Sequence, residues 1–203
     1  ANTNTPRGLV LIRGGGAYSF NAQGNLYSVP TSDSTNAYYL NDAVKVEAGS
    51  SVEGVPNIVK AAGTDKLLGS IQAILPVYPQ ASLVGTALSL ERTSIPAAKS
   101  AVYFVVVSDD PTGEYSIQDD GITTANLVAA SANLNSSLTI TAGASITSDS
   151  ATVLLSSSFA VTPTLNIKLQ GLVQQGGNEY GAYAKWLCRL NVAYLTATGA
   201  TGV

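Results

Sequence analysis

Short apolar runs divided by dense turn signals constrain this chain more than any other feature. The strongest run is Val102 to Val107, VYFVVV. It is β-branched and aromatic without a break, as a strand buried on both faces should be. Asp109-Asp110-Pro111-Thr112-Gly113 ends it with turn chemistry. Val44 to Glu47 alternates like a half-buried strand, and Ile58-Val59 and Leu67 to Leu75 follow, the latter closed by Pro76 and Pro79. Further strands are expected at Glu114 to Gln118, Leu138 to Thr141 and Ala151 to Leu155.

Two late segments alternate cleanly. In Leu165 to Leu169, Leu165, Ile167 and Leu169 face one way and Asn166 and Lys168 the other. In Lys185 to Tyr194, Trp186, Cys188, Leu190, Val192 and Tyr194 share a face, opposite Lys185, Arg189 and Asn191. A slip of one residue would bury the cations, so the register is well specified. These two segments are expected to be adjacent antiparallel strands. Helix is confined to Thr123 to Ala130, with Thr123 or Thr124 as N-cap and Leu127 and Val128 inward. The fold class is therefore all-β: an antiparallel β-sandwich or barrel with at most one or two short helices. Residues 1–25 read as an extended N-terminal arm and 26–203 as a β-rich domain, with a subdivision marked near 108–121.

Composition narrows the function. Charged residues make up 11% of the chain, against about 25% in ordinary globular proteins. The stretch from Gly121 to Ile167 holds a single charge, Asp149, so it needs either a core or a covering partner. Net charge is −3, which argues against nucleic acid or a basic membrane face. The apolar runs fall far short of the roughly 20 residues that span a bilayer, so a soluble chain is expected. There is no histidine and one cysteine. The commonest general base, the usual metal ligand and any intrachain disulfide go with them. No enzyme activity, cofactor or metal is expected.

Individual motifs point the same way. Asp109-Asp110 and Asp119-Asp120, with Glu114 between, could pair as glycosidase carboxylates or ligate calcium. Adjacent aspartates at turns are better read as Asx-turn formers. Gly14-Gly15-Gly16 lacks the Lys-Ser or Lys-Thr of a phosphate loop and reads as a hinge. Cys188 reads as an inert core thiol beside Trp186. The arm carries one apolar patch, Leu9 to Ile12, between Arg7 and Arg13. That patch reads as a strand or anchor that docks on a neighbour. Deleting residues 1–16 is then expected to leave a folded domain. Ten tyrosines, among them Tyr38-Tyr39, Tyr78, Tyr180 and Tyr183, suit interfaces or core edges more than sugar binding.

Several segments, taken in order, resemble a known family. Asp109-Asp110-Pro111 with Tyr115-Ser116-Ile117-Gln118-Asp119-Asp120-Gly121 is similar to its "DDP…F-E-I-Q-E-D" segment. Ala132-Asn133-Leu134, Leu169 to Gln174 and Asn178 to Asn191 look like later landmarks. Asn4 to Leu9, Tyr27 to Pro30 and Asp42 to Lys45 look like earlier ones. The stretch from Ser136 to Ser158 departs from the pattern. The family is the capsid decoration or cement proteins of short-tailed bacteriophages.

The resemblance implies a structural, non-enzymatic virion protein on the outer capsid surface, assembled in the bacterial cytoplasm. Its partners would be the major capsid protein and copies of itself, a homotrimer matching local threefold positions. Capsid stabilisation would be its role, with Arg7, Leu9, Leu11 and Arg13 anchoring the arm and Tyr38, Tyr39 and Tyr180 at oligomer contacts. The alternative is a carbohydrate-binding or host-adhesion module, with a host-surface glycan as ligand.

Overall fold

The computed structural model describes residues 1–14, 24–75, 94–143 and 149–195. Its first half holds β1 (Val10–Arg13), β2 (Asn25–Val29), β3 (Tyr38–Tyr39), β4 (Ala43–Ser50), β5 (Pro56–Lys60), β6 (Gly69–Leu75), β7 (Ser94–Ile95) and β8 (Tyr103–Ser108). Its second half holds β9 (Glu114–Gln118), β10 (Asn135–Ser136), β11 (Leu138–Thr139), β12 (Val153–Leu154), β13 (Ile167–Leu172) and β14 (Lys185–Leu190). The chain is all-β, as the turn-punctuated apolar runs predict.

Ten of these strands fall in two larger structures, while β3 with β7 and β11 with β12 form two-stranded sheets. The first is a closed barrel in the order β2-β5-β4-β6-β8. Its buried apolar cluster includes Val29, Val44, Ile58, Ile71, Val105 and Val107. These β-branched side chains suit a pleated wall buried on its inner side. The barrel pairs are antiparallel except where β2 meets β5 in parallel at Ser28 and Asn57. Glycine is required at one crossing. A Cβ on Gly69 would lie 1.7 Å from the Ser108 carbonyl oxygen, a distance that only a bare Cα permits.

The second structure is an antiparallel five-stranded sheet in the order β1-β9-β14-β13-β10. The chain leaves the barrel at Ser108 and enters the sheet at Glu114. The sheet's inner face presents Leu11, Tyr115, Ile117, Leu169, Trp186 and Cys188 to one core. Ala43, Ala61 and Leu67 from the barrel side complete that core, with Leu127, Leu138 and Leu154. The last three belong to the charge-poor stretch, which is thus partly buried against the sheet, while Ile122 and Val161 stay exposed. β13 and β14 are neighbours, as their alternation requires.

Four expectations need correction. The N-terminal segment is part of this chain's own sheet and not a separate arm. β1 pairs with β9, while Leu9 and Leu11 lie in the core. Asn2 bonds the 179–182 loop, and Thr5 N–H donates to Gln118 Oε1 at 3.0 Å. Gly8, at φ 72°, brings the segment close enough for Leu9 N–H to reach the Asn41 carbonyl at 2.9 Å. Deleting residues 1–16 would therefore remove an edge strand and two core side chains. Second, no α-helix forms over Thr123 to Ala130. There are 3-10 helices at Thr124–Asn126 and Ala129–Ser131, and Thr123 makes no side-chain cap bond. Leu127 is buried, but Val128 is exposed. Third, Asn166 is buried instead of facing outward, because its Nδ2 donates to the Gly63 carbonyl at 2.8 Å. Fourth, the outward alternation of 185–194 stops at Leu190, after which Ala193 is the buried residue. The expectations for Gly15, Gly16, Pro76, Tyr78 and Pro79 lie outside the described residues.

Candidate functional site

Alternation places the cationic side chains of β13 and β14 on the sheet's outer face, opposite Trp186 and Cys188. Register then aligns them. Arg13 pairs with Glu114, Glu114 with Arg189, and Arg189 with Lys168, so four strands contribute one charged row. The next outward row runs Val10, Ser116, Leu187 and Gly171. Gln118 and Lys185 form a third. β1 bulges between Leu11 and Arg13, and Ile12 at the bulge is 44% exposed. Val10, Ile12, Ser116, Val173 and Lys185 line a shallow groove of about 190 Å³ across this face.

Glu114 organises the charged row. Arg13 Nε–H donates to its Oε2, and Arg189 donates to its Oε1 at 2.5 Å. Gln170 adds a longer contact to Oε1 at 3.5 Å. These bonds, that from Arg13 foremost, hold the carboxyl down to about 2 against an ordinary value of 4.5. Glu114 is buried beneath the two guanidiniums, which remain largely exposed. Each guanidinium has five N–H donors, so donors remain for an incoming acceptor. Lys168 and Lys185 form no ion pair among the described residues.

The seven residues singled out from sequence separate into groups. Leu9, Leu11 and Tyr38 are buried within the chain itself. Tyr38 belongs to the barrel core; its hydroxyl donates to Asp33 and accepts Lys60 N–H at 3.1 Å. Tyr39 is half-buried, with the Lys60 ammonium 5.7 Å from its ring centre. Arg7 and Arg13 reach the surface, paired with Asp149 and Glu114. Tyr180 is half-exposed and leans on Trp186, ring centres 5.7 Å apart. Arg7 and Arg13 alone reach the outer face, and the structure adds Lys168, Lys185, Leu187 and Arg189 to them. Their signal was the alternation itself, which already turned the three cations outward.

The carboxylate pairs carry structure. Asp109 accepts from Tyr27 and Asn25 at 2.7 and 2.8 Å. Asp110 accepts Thr112 N–H at 2.8 Å in an Asx turn. Asp120 accepts from Ile122 N–H and Ser156. Asp119 is buried and accepts from Trp186 Nε1–H, Tyr183 N–H and Gly121 N–H within 3.0 Å. Burial raises its carboxyl above the usual range, and these donors oppose the rise. Burial likewise pushes the Cys188 thiol up, away from thiolate chemistry.

These side chains set a cationic row beside a half-exposed apolar stripe on one face of the sheet. Comparison with protein-family models, curated proteins and solved structures yields no match to this chain.

Proposed function

We propose that this chain is a structural docking protein, and specifically a capsid decoration protein that cements neighbouring capsomers on the outside of a phage head. The observation that carries the docking role is the sheet's outer face. It combines a half-exposed apolar stripe, a cationic row and an edge strand that has no outer neighbour among the described residues, while apolar side chains pack the inner face and the barrel interior. Such a face gains free energy only against another surface, at about 25 cal/mol per Å² of apolar area removed from water. The edge of β1 can add a strand from a partner. The capsid as partner rests on the ordered resemblance from Asn4 to Asn191. Repeated copies on a lattice turn weak contacts into firm attachment. A closed homo-oligomer, a trimer on threefold positions, fits this use.

The test mixes the purified protein with capsids lacking it. Bound copies and the temperature of head rupture are measured together, for the wild type and for Leu187→Glu on the outer face. Stoichiometric binding with a higher rupture temperature, both lost in the variant, is the expected result. Binding without stabilisation would reject the cementing role, and absence of binding would reject the capsid.

A glycan reading has one observation in its favour. Asn2, Gln175, Asn178, Tyr183 and Lys185 line a polar groove of about 150 Å³ beside the N-terminal segment. However, Asn178 already spends its side chain on Val173 and Lys185. A glycan array separates this reading from the first.

A further inference from the structure

We infer that the partner of the outer sheet face is an acidic protein segment, with clustered carboxylates interleaved with apolar side chains. The inference rests on the docking role and names the chemistry of what docks. Arg7, Arg13, Lys168, Lys185 and Arg189 lie on or beside this face. They are half of the chain's 10 cations, in a protein whose net charge is −3. The concentration of positive charge is thus local and not a by-product of a basic chain.

The carboxylates nearby are already engaged. Asp149 pairs with Arg7, and Glu114 lies beneath Arg13 and Arg189. Asp110 sits beyond the end of β1, its Oδ2 3.7 Å from where a Cβ on Gly14 would be. Glu114 shows which ligand chemistry the row accepts, since one carboxylate already bridges two guanidiniums there. By holding them in line it lowers the ordering cost for the next carboxylate.

Two further features select protein over other polyanions. The row borders the apolar stripe of Val10, Ile12, Leu187 and Val173, which a sugar or phosphate backbone leaves unmatched. The cations also flank that stripe, with Lys168 and Arg189 in the row on one side and Lys185 in the row on the other, so a matching ligand alternates acidic and apolar groups. An acidic segment with apolar anchors satisfies both rows.

The experiment titrates the full-length protein with a random Glu/Tyr copolymer at an ionic strength of about 0.01 M, where charges are screened over ~30 Å. The comparison variant is Lys168→Glu/Lys185→Glu, whose two lysines hold no ion pair among the described residues. Lys66→Glu, at an exposed lysine not on this face, serves as the control. Thermal melting confirms that all three remain folded. Binding by the wild type should weaken roughly tenfold or more in the double variant. It should change little in the control and fade at about 0.15 M salt. Equal binding by wild type and double variant would overturn the inference. So would tighter binding of heparin or duplex DNA than of the copolymer.

The same proteins are then mixed with the capsids. If the double variant still decorates them fully, the acidic-partner inference fails and the decoration role stands. If the copolymer binds this face and capsids do not, the decoration role fails and the acidic partner stands.

Discussion

Every barrel strand has hydrogen-bonded neighbours on both sides, and the buried cluster is mostly β-branched, with Tyr27, Tyr38, Leu68 and Tyr103. The five-stranded sheet instead ends on β1, keeps a half-exposed outer face, and holds the chain's single Trp and single Cys on its inner one. Charge follows the same division. The barrel region buries two ion pairs, Lys60 with Asp42 at 2.8 Å and Lys99 with Asp33 at 3.7 Å, and leaves Lys45 with Asp65 partly exposed. The sheet displays its charges, two exposed guanidiniums over one carboxylate. Closure removes edges and with them the capacity to recruit a partner. An open sheet keeps that capacity and needs charges and a bulge to guard its edge against indiscriminate pairing.

The contrast can be broken most sharply in the barrel region. Lys99→Met strips the buried Asp33 of its cation, though Tyr38 and Asn36 still donate to it. A loss of about 3–5 kcal/mol is expected in denaturant unfolding. Trp186 fluorescence reports the sheet core and far-UV circular dichroism reports all strands. The two transitions should shift together, because Ala43, Ala61 and Leu67 share one core with Trp186. A Trp186 transition left behind would show two independent units.

Leu9→Ala tests the N-terminal segment as part of the sheet. A fully buried leucine cut to alanine costs about 2–5 kcal/mol. An unchanged midpoint would return the segment to the role of a free arm.

Glu114→Gln should cost less, about 1 kcal/mol, since both guanidiniums are exposed and screened. Its pH signature is more telling. The folded carboxyl titrates near 2 and the unfolded one near 4.5. The native state therefore gains stability from Glu114 above the unfolded value and loses it as pH falls toward the folded one. Acid titration of the wild type should show that loss, and the Gln variant should be flatter across the same window.

Ile12→Ser should be the mildest in stability, within about 0.5 kcal/mol, because the side chain already meets water. Its effect should appear as weaker capsid binding. Full binding would remove the β1 edge from the docking face.

Much of the strand content was legible because it is local. Glu114–Gln118 coincides with its strand, and Val102 to Val107 overlaps β8. The alternation of Lys185 to Leu190 correctly sent Trp186 and Cys188 inward. The candidate face was legible only in pieces. Lys168, Lys185 and Arg189 were turned outward by alternation, but nothing local put Arg13 in line with them. The misread positions share a cause. Asn166 looks like an outward polar residue until a loop 103 residues earlier offers it a carbonyl. Tyr38 looks like a surface aromatic until Asp33 and Lys60 satisfy its hydroxyl inside the barrel region.

By itself, then, the sequence determined the all-β class, several of the longer strands, and the inward side of Leu169, Trp186 and Cys188. Those properties follow from period-two alternation and turn chemistry over a few residues. Only the tertiary structure decided that β1 belongs to this chain's own sheet, that five strands close into a barrel, and that Arg13, Arg189 and Lys168 share a row. Strand pairing uses backbone groups that every residue carries, so a strand's chemistry does not name its neighbour. The neighbour is chosen by which pairing buries the apolar faces together, as it does for Arg13 and Glu114, which lie 101 residues apart.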